Sequence, residues 1–113
     1  MVEPPGPRPE LLVVGANHRS ATAALRERLL LDDVGQRELA TQLRQIGLEQ
    51  AIVVSTCDRT EICALAADPV QAGQGILALL SRQCRVEMGS LAEQSYRLAG
   101  APALRQLFAV AAA

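Results

Sequence analysis

Two short apolar runs, Leu11-Leu12-Val13-Val14-Gly15 and Ala51-Ile52-Val53-Val54, constrain this chain more than any other feature. Each is too short for a stable helix and is bounded by polar or turn-forming residues, the pattern of a buried strand. Buried strands need elements to cover them, and the intervening sequence supplies helical periodicity. Ser20 is placed to cap a first helix carrying Leu25, Leu29 and Leu30. Asp33, with Gln36 three residues on, resembles a capping box opening a second helix, which lines up Leu39, Leu43 and Ile46 and stops at Gly47.

After the second run, Ser55 to Arg59 reads as a polar connection and Thr60 to Ala66 as a third strand with alternating polar and apolar residues. Asp68-Pro69 offers an N-cap followed by proline in the first turn, predicting a helix through Ile76, Leu77 and Leu80 to about Cys84. Ser95 to Ala99 reads as a fourth strand, and Pro102 opens a last helix with Leu104, Leu107, Phe108 and Ala111 that runs on without a stop signal. The order is β-α-α-β-β-α-β-α with no internal repeat. It predicts an α+β fold: a four-stranded antiparallel sheet with helices packed on one face, a ferredoxin-like variant of the split βαβ arrangement.

At 113 residues there is material for one hydrophobic core. Phe108 and Tyr96 are the only aromatic residues, so that core must be built from Ala, Leu, Val and Ile. Residues 1–10 hold four of the six prolines and read as a loose tail, leaving 11–113 as the domain. Every basic side chain is an arginine, and the acids balance them to a formal net charge of -1, which does not support generic nucleic-acid binding. Three cysteines at irregular spacing and a Pro-rich, not apolar, start predict a reducing, cytoplasmic setting. No apolar run approaches the length of a membrane span.

Chemistry concentrates in Ser55-Thr56-Cys57-Asp58-Arg59-Thr60-Glu61, at the expected tip between two strands. Cys57 can be read in two ways: as a nucleophile whose thiolate is favoured by the nearby Arg59, or as a small apolar residue ending a buried strand. Cys63 and Cys84 read as core. His18 is the only histidine and no tight pair of ligands accompanies it, so no metal site is expected. It could face the hairpin tip if the first and second strands pair. Gly73-Gln74-Gly75 lacks the third glycine of a dinucleotide loop and falls within a predicted helix.

Gly15-Ala16-Asn17-His18-Arg19-Ser20-Ala21, leading into Leu25-Arg26-Glu27-Arg28-Leu29, resembles the opening signature of glutamyl-tRNA reductases, a Gly-x-Asn-His-basic-Ser/Thr-Ala-Pro segment before Arg-Glu. Val54-Ser55-Thr56-Cys57-Asp58-Arg59-Thr60-Glu61-Ile62 resembles the Ser-Thr-Cys-Asn-Arg-Thr-Glu block of the same family, and Ala103 to Ala111 resembles the helix that links its first domain to the rest of the enzyme. The resemblance runs from Leu11 to Ala113. It implies a domain that recognises the glutamyl group of glutamyl-tRNA, with Cys57 attacking the ester to form a thioester and Thr56, Asp58 and Arg59 completing the substrate-binding stretch. NADPH, held in a second domain outside this chain, then reduces the thioester to glutamate-1-semialdehyde for tetrapyrrole synthesis. The planar fork of Arg59 suits a glutamyl carboxylate.

The resemblance further implies a homodimeric full-length protein, a fragment that is monomeric, and a downstream semialdehyde aminomutase as partner. It departs from the family at three positions. Thr22 replaces the proline of the first signature, Asp58 replaces an asparagine, and Gln106 stands where the family carries a histidine important for activity. An amide cannot exchange a proton as imidazole does. Read this way, the final helix from about 102 is cut before an NADPH-binding domain, and the chain alone reduces nothing. The alternative is a non-catalytic relative that binds glutamyl-tRNA or a partner enzyme. A third reading is a thiol redox sensor that pairs Cys57 with Cys63.

Overall fold

The computed structural model describes residues 8–112. Of the tail expected over residues 1–10, the first seven residues lie outside this range, and Glu10 already belongs to a strand. The elements are β1 Glu10–Asn17, α1 Ala23–Leu29, α2 Asp33–Gln45, β2 Ala51–Ser55, β3 Arg59–Ala66, α3 Pro69–Cys84, α4 Met88–Gln94, β4 Tyr96–Ala99 and α5 Ala101–Ala112. The strands form one antiparallel sheet in the order β2-β3-β1-β4. This is the α+β, split βαβ arrangement that the element order predicts.

Alternation along the strands sorts side chains onto two faces. Leu12, Val14 and Ala16 of β1, with Ile62, Ala64 and Ala66 of β3, meet Leu25 and Leu29 of α1, Leu39 and Leu43 of α2, Ile76, Leu77 and Leu80 of α3 and Leu91 of α4. Each fully buried leucine there contributes about 1.5–3 kcal/mol of transfer free energy. Val13 and Cys63 point the other way and meet Ala103, with Leu11, Tyr96, Leu98 and Leu107 packed alongside. α5 therefore lies on the opposite face from the other four helices, where a single covered face was expected. β1 consequently carries apolar residues on both sides, which is why its sequence is a continuous run.

Several local expectations shift. Thr22, not Ser20, caps α1 by accepting from the Leu25 N–H, because the Ser20 hydroxyl is engaged by the Asn17 N–H at 3.0 Å. The α2 cap is Asp32, whose Oδ1 accepts from the Gly35 N–H at 2.7 Å; Gln36 instead donates to the Leu31 carbonyl. Ile46 and Leu30 are exposed, since both sit where their helices end. β2 is an edge strand with Ile52 63% exposed, although its composition suggests a strand buried on both sides. Gly47 does end α2 at φ +92, and Asp68 caps α3 ahead of Pro69 as expected.

α4 is absent from the expected element order. It has seven residues, only one of them buried, and its N-cap is Glu87, whose carboxylate accepts from the Gly89 and Ser90 N–H groups. Neither periodicity nor a preferred capping residue announces such a helix.

Candidate functional site

The connection between β2 and β3 is tighter than the polar stretch suggests. Ser55 and Arg59 belong to the strands, and Thr56 and Arg59 exchange backbone hydrogen bonds at 2.7 and 3.3 Å around Cys57 and Asp58. Neither central residue takes a positive φ, so the hairpin closes without the left-handed residues that most two-residue turns use. Thr56, Cys57 and Asp58 stand exposed at the tip, and Thr56 Oγ1 accepts from the Asp58 N–H at 3.3 Å. Cys57 therefore does not finish a buried strand.

The base of the hairpin is fastened to the α1–α2 connection. Thr60 Oγ1 donates to the Leu29 carbonyl at 2.9 Å, while Ser55 Oγ accepts from the Leu31 N–H at 2.9 Å. The two hydroxyls lie 2.8 Å apart, and Ser55 Oγ also lies within donating distance of the Leu29 carbonyl, at 3.4 Å. Both hydroxyls of the Ser-Thr-Cys-Asp-Arg-Thr block that face the main core thus serve to aim the tip.

Pairing of β1 with β3 sets Asn17 opposite Arg59 and Gly15 opposite Glu61. The two signature segments, about forty residues apart in sequence, thereby meet on adjacent strands. His18 is exposed one residue beyond Asn17, and β1 does not pair with β2, since β3 lies between them. Asn17 Oδ1 accepts from the Arg19 and Ser20 N–H groups at 2.9 and 3.2 Å, folding the loop back on itself.

On the α5 face of the sheet lies a polar cluster outside the expected site. Glu61 is 2% exposed; its Oε1 accepts from Arg59 Nη1 at 3.3 Å and its Oε2 from Gln106 Nε2 at 3.0 Å. Arg59, expected beside the cysteine, is in this geometry paired with Glu61. Tyr96 lies close enough that the same carboxylate acts on it: burial is the larger cause raising the phenol pKa, and hydrogen bonding and charge from Glu61 add to it. Asn17 Nδ2 reaches the Tyr96 hydroxyl at 3.5 Å. Gly15 makes room for the carboxylate, since a Cβ there would lie 2.7 Å from Glu61 Cγ and 2.6 Å from the Thr60 carbonyl oxygen.

Cys63 is buried on this face, and burial first, then the Glu61 charge, raises its pKa; burial alone raises that of Cys84. Cys63 pairs with Ile52, well down the hairpin from the turn that holds Cys57. At about 3.3 Å per strand residue that separation far exceeds the roughly 7 Å limit for bridged Cα atoms, so the Cys57–Cys63 redox pair is ruled out in this fold. Gly73-Gln74-Gly75 lies inside α3, with no strand-turn-helix around it, and does not fit a dinucleotide. Among the described residues no group of His, Cys, Asp or Glu is arranged to hold a metal ion, and no helix is long and apolar enough to cross a membrane.

A family model described as "Glutamyl-tRNAGlu reductase, N-terminal domain" matches residues 14–113. This chain belongs to that family. It is similar to the curated glutamyl-tRNA reductases of Rhodospirillum rubrum, 36% identical over 102 residues, and Rubrobacter xylanophilus, 37% identical over 104 residues. Each alignment covers 90% of this chain and 24% of the relative, so the chain spans about a quarter of the length of these reductases. Among solved structures it resembles glutamyl-tRNA reductase from Methanopyrus kandleri with a TM-score of 0.63 at 21% identity, covering 89% of this chain and 22% of that one, a likeness of fold.

The site residues that sequence reasoning missed are Gly15, Glu61 and Tyr96. Gly15 and Glu61 stood inside the two signatures but carried no role there. Tyr96 had no signal beyond being one of two aromatic residues in the chain.

Proposed function

We propose that this domain binds the glutamyl end of glutamyl-tRNA and takes the glutamyl group onto Cys57 as a thioester. One observation carries the reading: the β1–β3 register brings the Asn17–Ser20 turn alongside a hairpin whose exposed apex is Cys57. The Cys57 sulfur attacks the ester carbonyl, a C–S bond forms, and the ester C–O bond to the terminal ribose breaks. The thiol proton ends on the ribose hydroxyl, and no electrons are transferred. Arg59, at the first position of β3, is suited to grip the glutamyl side-chain carboxylate. Asp58 adds a negative charge beside an anionic substrate, an arrangement that slows attack compared with a neutral amide.

In this reading the thioester is reduced by NADPH held in a domain outside this chain. The complete protein would then be an NADP-dependent oxidoreductase of tetrapyrrole biosynthesis, cytoplasmic and homodimeric, passing its semialdehyde to an aminomutase. The second reading, a binding module without thioester chemistry, draws on Asp58 and on Gln106, whose amide is committed to Glu61.

The deciding experiment is intact-mass spectrometry after mixing with glutamyl-tRNA, alongside Cys57→Ser. A glutamyl adduct on the cysteine form alone is the expected result. No adduct on either form, with retained binding of the tRNA, transfers the assignment to the binding module.

A further inference from the structure

The hairpin tip is exposed, yet the arginine beside it is tied to one of the most buried polar side chains in the described fold. Taking a carboxylate out of water is costly unless every oxygen is matched, and here the matching groups come from separate elements. Arg59 lies two residues away on β3 and Gln106 reaches across from α5, while Tyr96 of β4 packs on the same face of the sheet. Gly15 on β1 leaves the space in which they meet. Three strands and a helix thus converge on Glu61, whereas a surface arginine held only by its own strand would sample many rotamers.

We infer that Glu61 is a positioning residue that holds the Arg59 guanidinium for the glutamyl carboxylate, and that Gln106 anchors Glu61 so that the seating of α5 on the sheet controls that grip. This rests on the thioester reading above. An arginine with one N–H engaged by Glu61 keeps further donors for substrate, because guanidinium carries five. The Gln106 amide holds the second carboxylate oxygen without a titrating group of its own.

The test measures thioester formation by intact mass across glutamyl-tRNA concentrations, with glutaminyl-tRNA as the neutral isostere, for the unmodified chain, Glu61→Gln and Gln106→Leu. Loss of one charge-assisted hydrogen bond corresponds to roughly a tenfold change. Glu61→Gln is expected to raise the half-saturating glutamyl-tRNA concentration on the order of tenfold and to reduce discrimination against glutaminyl-tRNA, with the maximal rate and the Cys57 alkylation rate little changed. Gln106→Leu should move the same quantities in the same direction by a smaller factor. It leaves the Arg59–Glu61 pair in place and serves as the test if Glu61→Gln does not fold.

A variant that loses thermal stability but keeps the original half-saturation and discrimination overturns the inference and leaves the thioester reading intact. Absence of adduct on the unmodified chain overturns both.

Discussion

Gly15→Ala should damage this protein out of proportion to the one carbon it adds. The new Cβ would lie 2.6 Å from the Thr60 carbonyl oxygen, 2.7 Å from Glu61 Cγ and 3.0 Å from Glu61 Cα. Two of those three atoms are backbone of β3, which is held between β1 and β2 and cannot withdraw without opening a ladder. Overpacking of this kind costs about 1–3 kcal/mol. Pushing Glu61 aside would weaken its bonds to Arg59 and Gln106, and hydrogen bonds to charged groups are worth about 1.5–3 kcal/mol each. Replacing glycine stiffens the unfolded chain and returns only about 0.4–1 kcal/mol.

The net expectation is a loss of about 2–4 kcal/mol, a large share of the ~5–15 kcal/mol available to a typical domain. In urea, with a slope of ~1–3 kcal/mol/M, the midpoint followed by far-UV circular dichroism should fall by at least ~0.7 M. Gly75→Ala is the control. It sits mid-helix in α3, and its Cβ would meet only Ile46 Cδ1 at 3.2 Å, the tip of an exposed side chain free to move. That substitution should stabilise by about 0.5–1 kcal/mol. An unchanged or raised midpoint for Gly15→Ala would refute the argument that Gly15 is required by the close approach of Glu61.

Thr60→Val preserves shape but removes the shorter of the two donors to the Leu29 carbonyl, leaving Ser55 at 3.4 Å as its remaining one, so it should cost about 0.5–1.5 kcal/mol in a thermal melt. Leu39→Ala empties a fully buried position between α2 and the sheet and should cost about 2–5 kcal/mol by urea unfolding. In thiol labelling of the native protein at mildly alkaline pH, Cys57 should react well before Cys63 and Cys84, which are shielded and have raised pKa values; equal rates would contradict the burial pattern. The Glu87 carboxyl has a lowered pKa because the Ser90 and Gly89 N–H groups hold its ionised form at the start of α4. Its contribution is complete above the unfolded value of about 4.3 and is lost as pH falls through the lower folded one. Glu87→Ala should thus be less stable than the unmodified chain near neutrality and converge with it in acid.

Helices with strong ends were legible in the sequence, as Asp68-Pro69 opening α3 and Gly47 closing α2 show, because those signals act within one or two turns of chain. The composition of β2 was misleading: an apolar run reports low polarity but not the neighbours a strand will have, and here β2 lies at the edge of the sheet with Ile52 exposed. α4 was invisible for the opposite reason, being held by one leucine and a glutamate cap. The apex of the site, Thr56 to Arg59, could be picked out by its density of reactive groups. Its support could not, because Tyr96 and Gln106 come to Glu61 only through the pairing of β4 with β1 and the docking of α5.

What the sequence determined by itself was the set of elements with strong local signals, the α+β class and the two segments that carry the family likeness, all consequences of residue spacing over a few turns of chain. Which face each helix covers was decided by tertiary structure alone. So were the meeting of the Asn17 turn with the hairpin and the commitment of Arg59 to a buried glutamate. These depend on strand register, and register is set by the fit of the whole core, not by any stretch of sequence within it.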